Sequence, residues 1–159
     1  MEVGTKRVIE IVTAAGVLYA VAVAALFWLQ DGMLFPTAAV PAPDRPLPAA
    51  AESWVLTADD GARLHGVVVP GRGRPPTLVL GFPGNAWNAQ DFAVFLHERL
   101  PDATIVAFHY RGYAPSEGRP SERALTADAR RIAAAVRDRW PERALVPVGV
   151  SIGSGVAAA

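Results

Sequence analysis

The chain has 159 residues, fifteen basic against fifteen acidic side chains, and no cysteine. Balanced charge gives no electrostatic reason to expect nucleic acid as a partner. Without cysteine there are no disulfides and no thiolate metal sites, and the redox compartment stays open.

From Ile11 to Leu29 no residue is charged, and the run is long enough to cross the roughly 30 Å hydrocarbon layer as a helix. Phe27 and Trp28 close it, as aromatics do at a lipid–water boundary. Lys6 and Arg7 precede the run; Asp31 follows, and the next basic residue is Arg45. The positive-inside rule puts the N-terminus in the cytoplasm and the rest on the outer side. Residues 11–29 would then meet a lipid bilayer as partner. A cleaved signal peptide, with small residues near Ala38 and Ala39, is the competing reading and would give a secreted protein. The run is longer than a usual signal core and ends on bulky side chains, which favours an uncleaved anchor. Its apolarity on all faces argues against a buried core helix in so small a domain.

Residues 31–52 read as a linker. Five prolines among alanines between Pro36 and Pro48 favour an extended, semi-rigid spacer over plain disorder. Residues 53–159 form the globular part. Trp54 to Thr57 and Leu64 to Val69 flank an Asp-Gly turn signal and predict a β-hairpin. Gly71 to Pro76 predicts a solvated loop, since no Gly-Lys-Ser/Thr follows to make it a phosphate site. Thr77 to Phe82 is a continuous apolar run, as a strand covered on both faces should be. Ala89 to Leu100 predicts a helix with Phe92, Phe95, Leu96 and Leu100 on one face. Thr104 to Phe108 predicts a second buried strand.

Ser121 opens a long helix whose Leu125, Ala129, Ile132, Ala133, Val136 and Trp140 make one apolar stripe. Arg123, Arg130, Arg131, Arg137 and Arg139 lie largely off it; a solvated face offset by Asp128, Asp138 and Glu142 explains them better than a basic patch. Pro141 ends the helix, and Ala144 to Val150 predicts a third buried strand. Strand, helix, strand, helix, strand is a pair of βαβ units, hence a parallel sheet with right-handed crossovers.

Directly after that third strand comes Gly149-Val150-Ser151-Ile152-Gly153. G-x-S-x-G between strand and helix is the pattern of a nucleophile elbow, which exposes a serine on a strained turn. Ser151 is the candidate nucleophile, at the carboxyl end of its strand, where open α/β sheets bind ligands. The N–H of Ile152 would face a developing oxyanion. A second donor should come from Pro83-Gly84-Asn85-Ala86, after the first parallel strand. The Asn85 amide is the choice and Ala86 the fallback, because Pro83 has no N–H.

From anchor to elbow the chain resembles membrane-anchored α/β-hydrolases of the serine-aminopeptidase-like and acylglycerol-lipase-like group. The resemblance rests on Gly84 to Asn88, on Tyr110-Arg111-Gly112-Tyr113 with Ser116-Glu117-Gly118 and Pro120-Ser121-Glu122, and on Gly149 to Gly153. It implies an eight-stranded sheet, a Ser–Asp–His triad and hydrolysis of esters, thioesters or amides of a small-molecule acyl substrate, without a cofactor. Only Ser151 of the triad carries over. Pro83 stands where the group often has histidine, and Ala114 where glycine is usual, so a left-handed backbone at Ala114 would be strained. The fold class expected is thus α/β: an incomplete α/β-hydrolase sheet, a β-hairpin followed by parallel βαβαβ, after an N-terminal transmembrane helix.

Of the three histidines, none has zinc-site spacing. His109 ends the second parallel strand and is the only one placed to be weighed as a base, but the fold takes its base from a later loop. His65 in the hairpin and His97 on the first helix read as surface or half-buried, and Asp128 as a solvent or capping residue. Two other classes compete. Gly153 to Ala158 fits G-x-G-x-x-A, a loose dinucleotide pattern, displaced from its strand by Gly149 and Ser151. The chain also reads as a non-catalytic, membrane-bound binding module; the residues carry no signal of oligomeric state.

Because the acid and histidine follow the serine in this fold, residues 1–159 are expected to lack triad turnover. Robust ester hydrolysis by purified residues 1–159, abolished by Ser151→Ala, would overturn that. A reporter fused after Pro48 is expected to be active only on the outer side of the membrane; cytoplasmic activity would reverse the orientation.

Overall fold

The computed structural model describes residues 2–72 and 77–159, so most of the expected Gly71–Pro76 loop lies outside the described residues. The chain divides into two units, one ending at Leu34 and the other spanning Phe35–Ala159. The first is a single helix, α1 (Glu2–Leu34). By length and composition it can cross a membrane, a test that a signal sequence also passes.

The second unit carries a five-stranded sheet in the order β1-β2-β4-β3-β5. β1 (Glu52–Thr57) and β2 (Arg63–Val69) form the expected antiparallel hairpin, with Gly61 at φ 89° in its turn. β2 runs antiparallel to β4 (Thr104–Phe108). β4 and β5 (Leu145–Gly149) flank β3 (Leu78–Phe82), both parallel to it. The chain thus makes β3, α2 (Ala89–Arg99), β4, α3 (Glu122–Arg139), β5 and a short α4 (Ile152–Ala157).

Side-chain alternation along the strands divides the core into two layers. Leu78, Leu80, Phe82, Val106 and Phe108 pack with Leu125, Ala129, Ile132 and Val136 of α3 and Val156 of α4. Val67, Val69, Val79, Ile105 and Ala107 pack with Phe92, Ala93 and Leu96 of α2. Both helices start where a side chain accepts from an orphan amide: Asn88 from Asp91 at the head of α2, and Ser121 from Ala124 at the head of α3. The five arginines of α3 are exposed, as expected, and one of them, Arg139, pairs with Glu52 at 2.7 Å.

Three features differ from the sequence reading. Leu100 closes α2 as its cap and is exposed rather than part of the apolar face. β5, expected to be buried, is half-exposed, with Val146 at 43%. Among the described residues it pairs with β3 alone. The proline-rich stretch belongs to the compact unit. Asp91 of α2 accepts from the backbone N–H of Asp44 (3.3 Å) and Arg45 (3.0 Å), and Gln90 donates to the Arg45 carbonyl.

Phe92 is fully buried and meets Trp87 edge-on at 5.0 Å. Phe92→Ala is expected to cost about 3–5 kcal/mol, read as a drop in the urea midpoint of unfolding.

Candidate active site

The turn from β5 into α4 holds Ser151 at φ 54°, ψ −124°. Among the described residues it is the only non-glycine with positive φ, a conformation that costs of order 1–3 kcal/mol and persists only where its surroundings impose it. Those surroundings are explicit. Val150 donates to the Phe82 carbonyl at 3.1 Å, tying the end of β5 to the end of β3. A Cβ on Gly149 would overlap the backbone of Gly153 and Ser154, coming within 2.6 Å of the Ser154 nitrogen. A Cβ on Gly153 would overlap the carbonyls of Phe82 and Pro83, 2.6 Å from the latter's oxygen. Only glycine fits at both positions, and the serine between them is left exposed. Ile152 opens α4, so its N–H has no partner within the helix.

The loop after β3 runs beside this turn. A Cβ on Gly84 would lie 3.8 Å from that of Ser151. Pro83 and Gly84 are buried, Asn85 is half-buried and Ala86 exposed. Two tyrosines brace the loop from the segment after β4. The Tyr110 hydroxyl donates to the Pro83 carbonyl at 2.8 Å, and that of Tyr113 to Asn85 Oδ1 at 2.5 Å. Burial, with Tyr113 close by, pushes the Tyr110 phenol well above its ordinary value, and burial alone raises Tyr113 to about 12. Both stay protonated donors.

Between these tyrosines, Arg111 anchors the segment. Its guanidinium grips Asp128 of α3 through two bonds, Nε to Oδ2 at 2.7 Å and a terminal nitrogen to Oδ1 at 2.5 Å, and donates to Asp60 at 2.6 Å. Such a bidentate fork fixes orientation as well as charge. The bond to Asp128 is the chief reason the Arg111 guanidinium is held even more firmly charged than usual, and the bond to Arg111 the chief reason the Asp60 carboxyl lies below its usual range. Asp128 is therefore a buried ion-pair partner, correcting the solvent or capping role read from sequence. A signal was available: it stands three residues after Leu125, on the edge of the apolar stripe. The strain expected at Ala114 is absent too, because its φ is not positive. Gly112 and Gly118 take the left-handed turns instead, and the Ala114–Pro115 peptide bond is cis.

The histidines lie elsewhere. His109 follows β4, two strands from β5, roughly 10 Å at ordinary strand spacing. It is buried, with no hydrogen-bond partner at Nδ1. Burial above all, then nearby His65, holds its imidazole at about 4, against an opposing pull from Asp91. The ring is neutral at pH 7 and not beside Ser151. His65 and His97 are half-buried. The dinucleotide reading fails on geometry: Gly153 to Ala157 lie within α4, whereas the strand-to-helix turn is at Val150 and Ser151.

No protein-family model matches the chain. The uncharacterized protein YfhR of Salmonella typhi is 40% identical over 118 residues, 68% of this chain and 39% of that protein. The lysophosphatidylserine lipase ABHD12 of Danio rerio is 43% identical over 83 residues, 50% of this chain and 22% of that one. In three dimensions the Pyrococcus furiosus esterase Pf2001 matches 74% of this chain and 49% of its own, with a TM-score of 0.55 at 18% identity. The fold is that of the α/β-hydrolases. The chain spans less than half the length of these curated relatives.

Two outcomes test the bracing and the buried ring. Asp128→Leu leaves Arg111 with Asp60 alone and is expected to cost about 3–5 kcal/mol, measured by urea unfolding. An unfolded His109 takes up its proton near pH 6.5 and the folded one only near 4, so folding stability falls as pH drops across that window. The loss is on the order of 3 kcal/mol, and His109→Leu is expected to flatten that part of the stability–pH curve.

Proposed function

We propose that this chain carries the nucleophile and oxyanion side of a serine hydrolase that works through an acyl-enzyme on esters, thioesters or amides. The observation that carries the reading is the left-handed backbone of Ser151 at a strand-to-helix turn, exposed and packed beside Gly84. A turn of this shape lifts the hydroxyl clear of the backbone and aims the next amide at the same space.

In the reaction, Ser151 Oγ attacks the acyl carbon as a base takes its proton. The carbonyl oxygen becomes negative and accepts from the N–H groups of Ile152 and Asn85, with Ala86 as the alternative donor. Collapse expels the alcohol, thiol or amine, which takes that proton, and water then releases the acid. In this fold the acid and the histidine come after the serine in chain order, so the activity proposed is that of the whole protein. The names of the esterase and of the lysophosphatidylserine lipase support acyl-ester chemistry. α1 supports a membrane-anchored enzyme of the serine-aminopeptidase-like and acylglycerol-lipase-like kind, its catalytic unit on the outer side.

Hydrolysis of p-nitrophenyl butyrate by the whole gene product tests this. Ser151→Ala is expected to lower kcat by about four orders of magnitude or more with the fold intact by circular dichroism. Turnover indifferent to that change would sink the proposal.

A further inference from the structure

Three residues past the strained serine the chain carries a second hydroxyl, on Ser154 of α4. Its backbone is wedged in place, because a Cβ on Gly149 would come within 2.6 Å of its nitrogen. Both of its donors reach back to one atom. The Ser154 N–H donates to the Ser151 carbonyl at 2.9 Å, and its Oγ–H donates to the same oxygen at 2.5 Å. A helical serine commonly bonds back to a carbonyl of the preceding turn, and such a bond by itself carries no function. What sets this one apart is the carbonyl it reaches.

The Ser151 carbonyl and the Ile152 N–H are the two ends of one peptide unit. That unit is planar and trans, so the carbonyl and the N–H point in opposite directions. Whatever fixes the carbonyl therefore fixes the line along which Ile152 donates. The torsion that swings this unit is ψ of Ser151, held at −124° beside a φ of 54°, a pairing kept only where the surroundings impose it. Ser151 does not steady the turn itself, since its side chain makes no capping bond. A donor on the carbonyl also draws electron density from the amide nitrogen and strengthens its N–H as a donor.

We infer that Ser154 is a positioning residue for the oxyanion: its hydroxyl, through the Ser151–Ile152 peptide unit, aims and strengthens the Ile152 N–H without touching the substrate. The inference rests on the serine-hydrolase reading of Ser151. The acyl oxygen is a neutral carbonyl in the ground state and an anion in the tetrahedral intermediate, so a better-aimed donor gains most in the transition state. The role therefore shows in kcat rather than in affinity.

The whole gene product is assayed with p-nitrophenyl butyrate, as the parent and as Ser151→Ala, Ser154→Ala and Ser154→Thr. Alanine is a better helix former than serine and the position is exposed, so Ser154→Ala should unfold at the parent's urea midpoint or above it. Its kcat is expected to fall about fivefold, the worth of roughly one hydrogen bond, with KM unchanged. Ser154→Thr keeps the hydroxyl and should recover most of the rate. An alkyl trifluoromethyl ketone, which a serine converts into a hemiketal oxyanion, should bind Ser154→Ala about fivefold more weakly. The matching secondary alcohol, which forms no oxyanion, should bind parent and variant alike. A rate in Ser154→Ala equal to the parent's, a change confined to KM, a threonine variant as slow as the alanine one, or equal weakening of ketone and alcohol would each overturn the inference. Ser151→Ala keeps the two readings apart. If turnover survives that change, the hydrolase reading fails and takes this inference with it; if turnover needs Ser151 and ignores Ser154, only the role of Ser154 fails.

Discussion

An L-residue with positive φ between a strand and a helix cannot hold itself in place, and most of what surrounds Ser151 exists to hold it. The turn brings two backbones so close that Gly149 and Gly153 have no room for a Cβ, and it seats Gly153 on the carbonyls that end β3. That contact makes β3 and the loop after it part of the elbow. The strained turn, the end of the neighbouring strand and the Gly84 loop are therefore in direct contact.

The second support comes from further away in sequence. Tyr110 and Tyr113 donate to opposite ends of the Pro83–Asn85 stretch, and Arg111 between them is locked to α3 through Asp128. A loop on a sheet edge would otherwise wander, since its backbone groups face water. Here its position is set by phenolic donors that cannot ionise near neutral pH and by a buried guanidinium that cannot lose its charge.

Much of this was legible in the residues. Hairpin, parallel strands, both crossover helices and the strand-to-helix turn at Ser151 followed from apolar runs, the Asp-Gly turn and the glycine spacing, because each is a local signal of a local geometry. Other features were not local. That Asp128 pairs with Arg111 depends on how far α3 sits from the loop after β4, which no single-chain pattern records. The docking of the proline-rich stretch depends on Asp91, whose carboxylate lies forty-six residues from the Arg45 amide it accepts.

The two ends of the sheet differ in character for a related reason. At β5, close backbone packing and glycines leave an exposed, strained serine. At β1 and β2 a groove lies between the hairpin, the head of α2 and the Val40–Pro43 stretch. The same sheet thus carries a hydrogen-bonding turn built by tight packing and a cavity left by incomplete packing. His109 lies between them, directly after β4, at the start of the segment whose Tyr113 donates to Asn85 and whose Ala114 and Pro115 border the groove. Tyr113, whose hydroxyl donates to Asn85 beside the Ser151 turn, immediately precedes Ala114 and Pro115, so one short stretch of chain touches both regions.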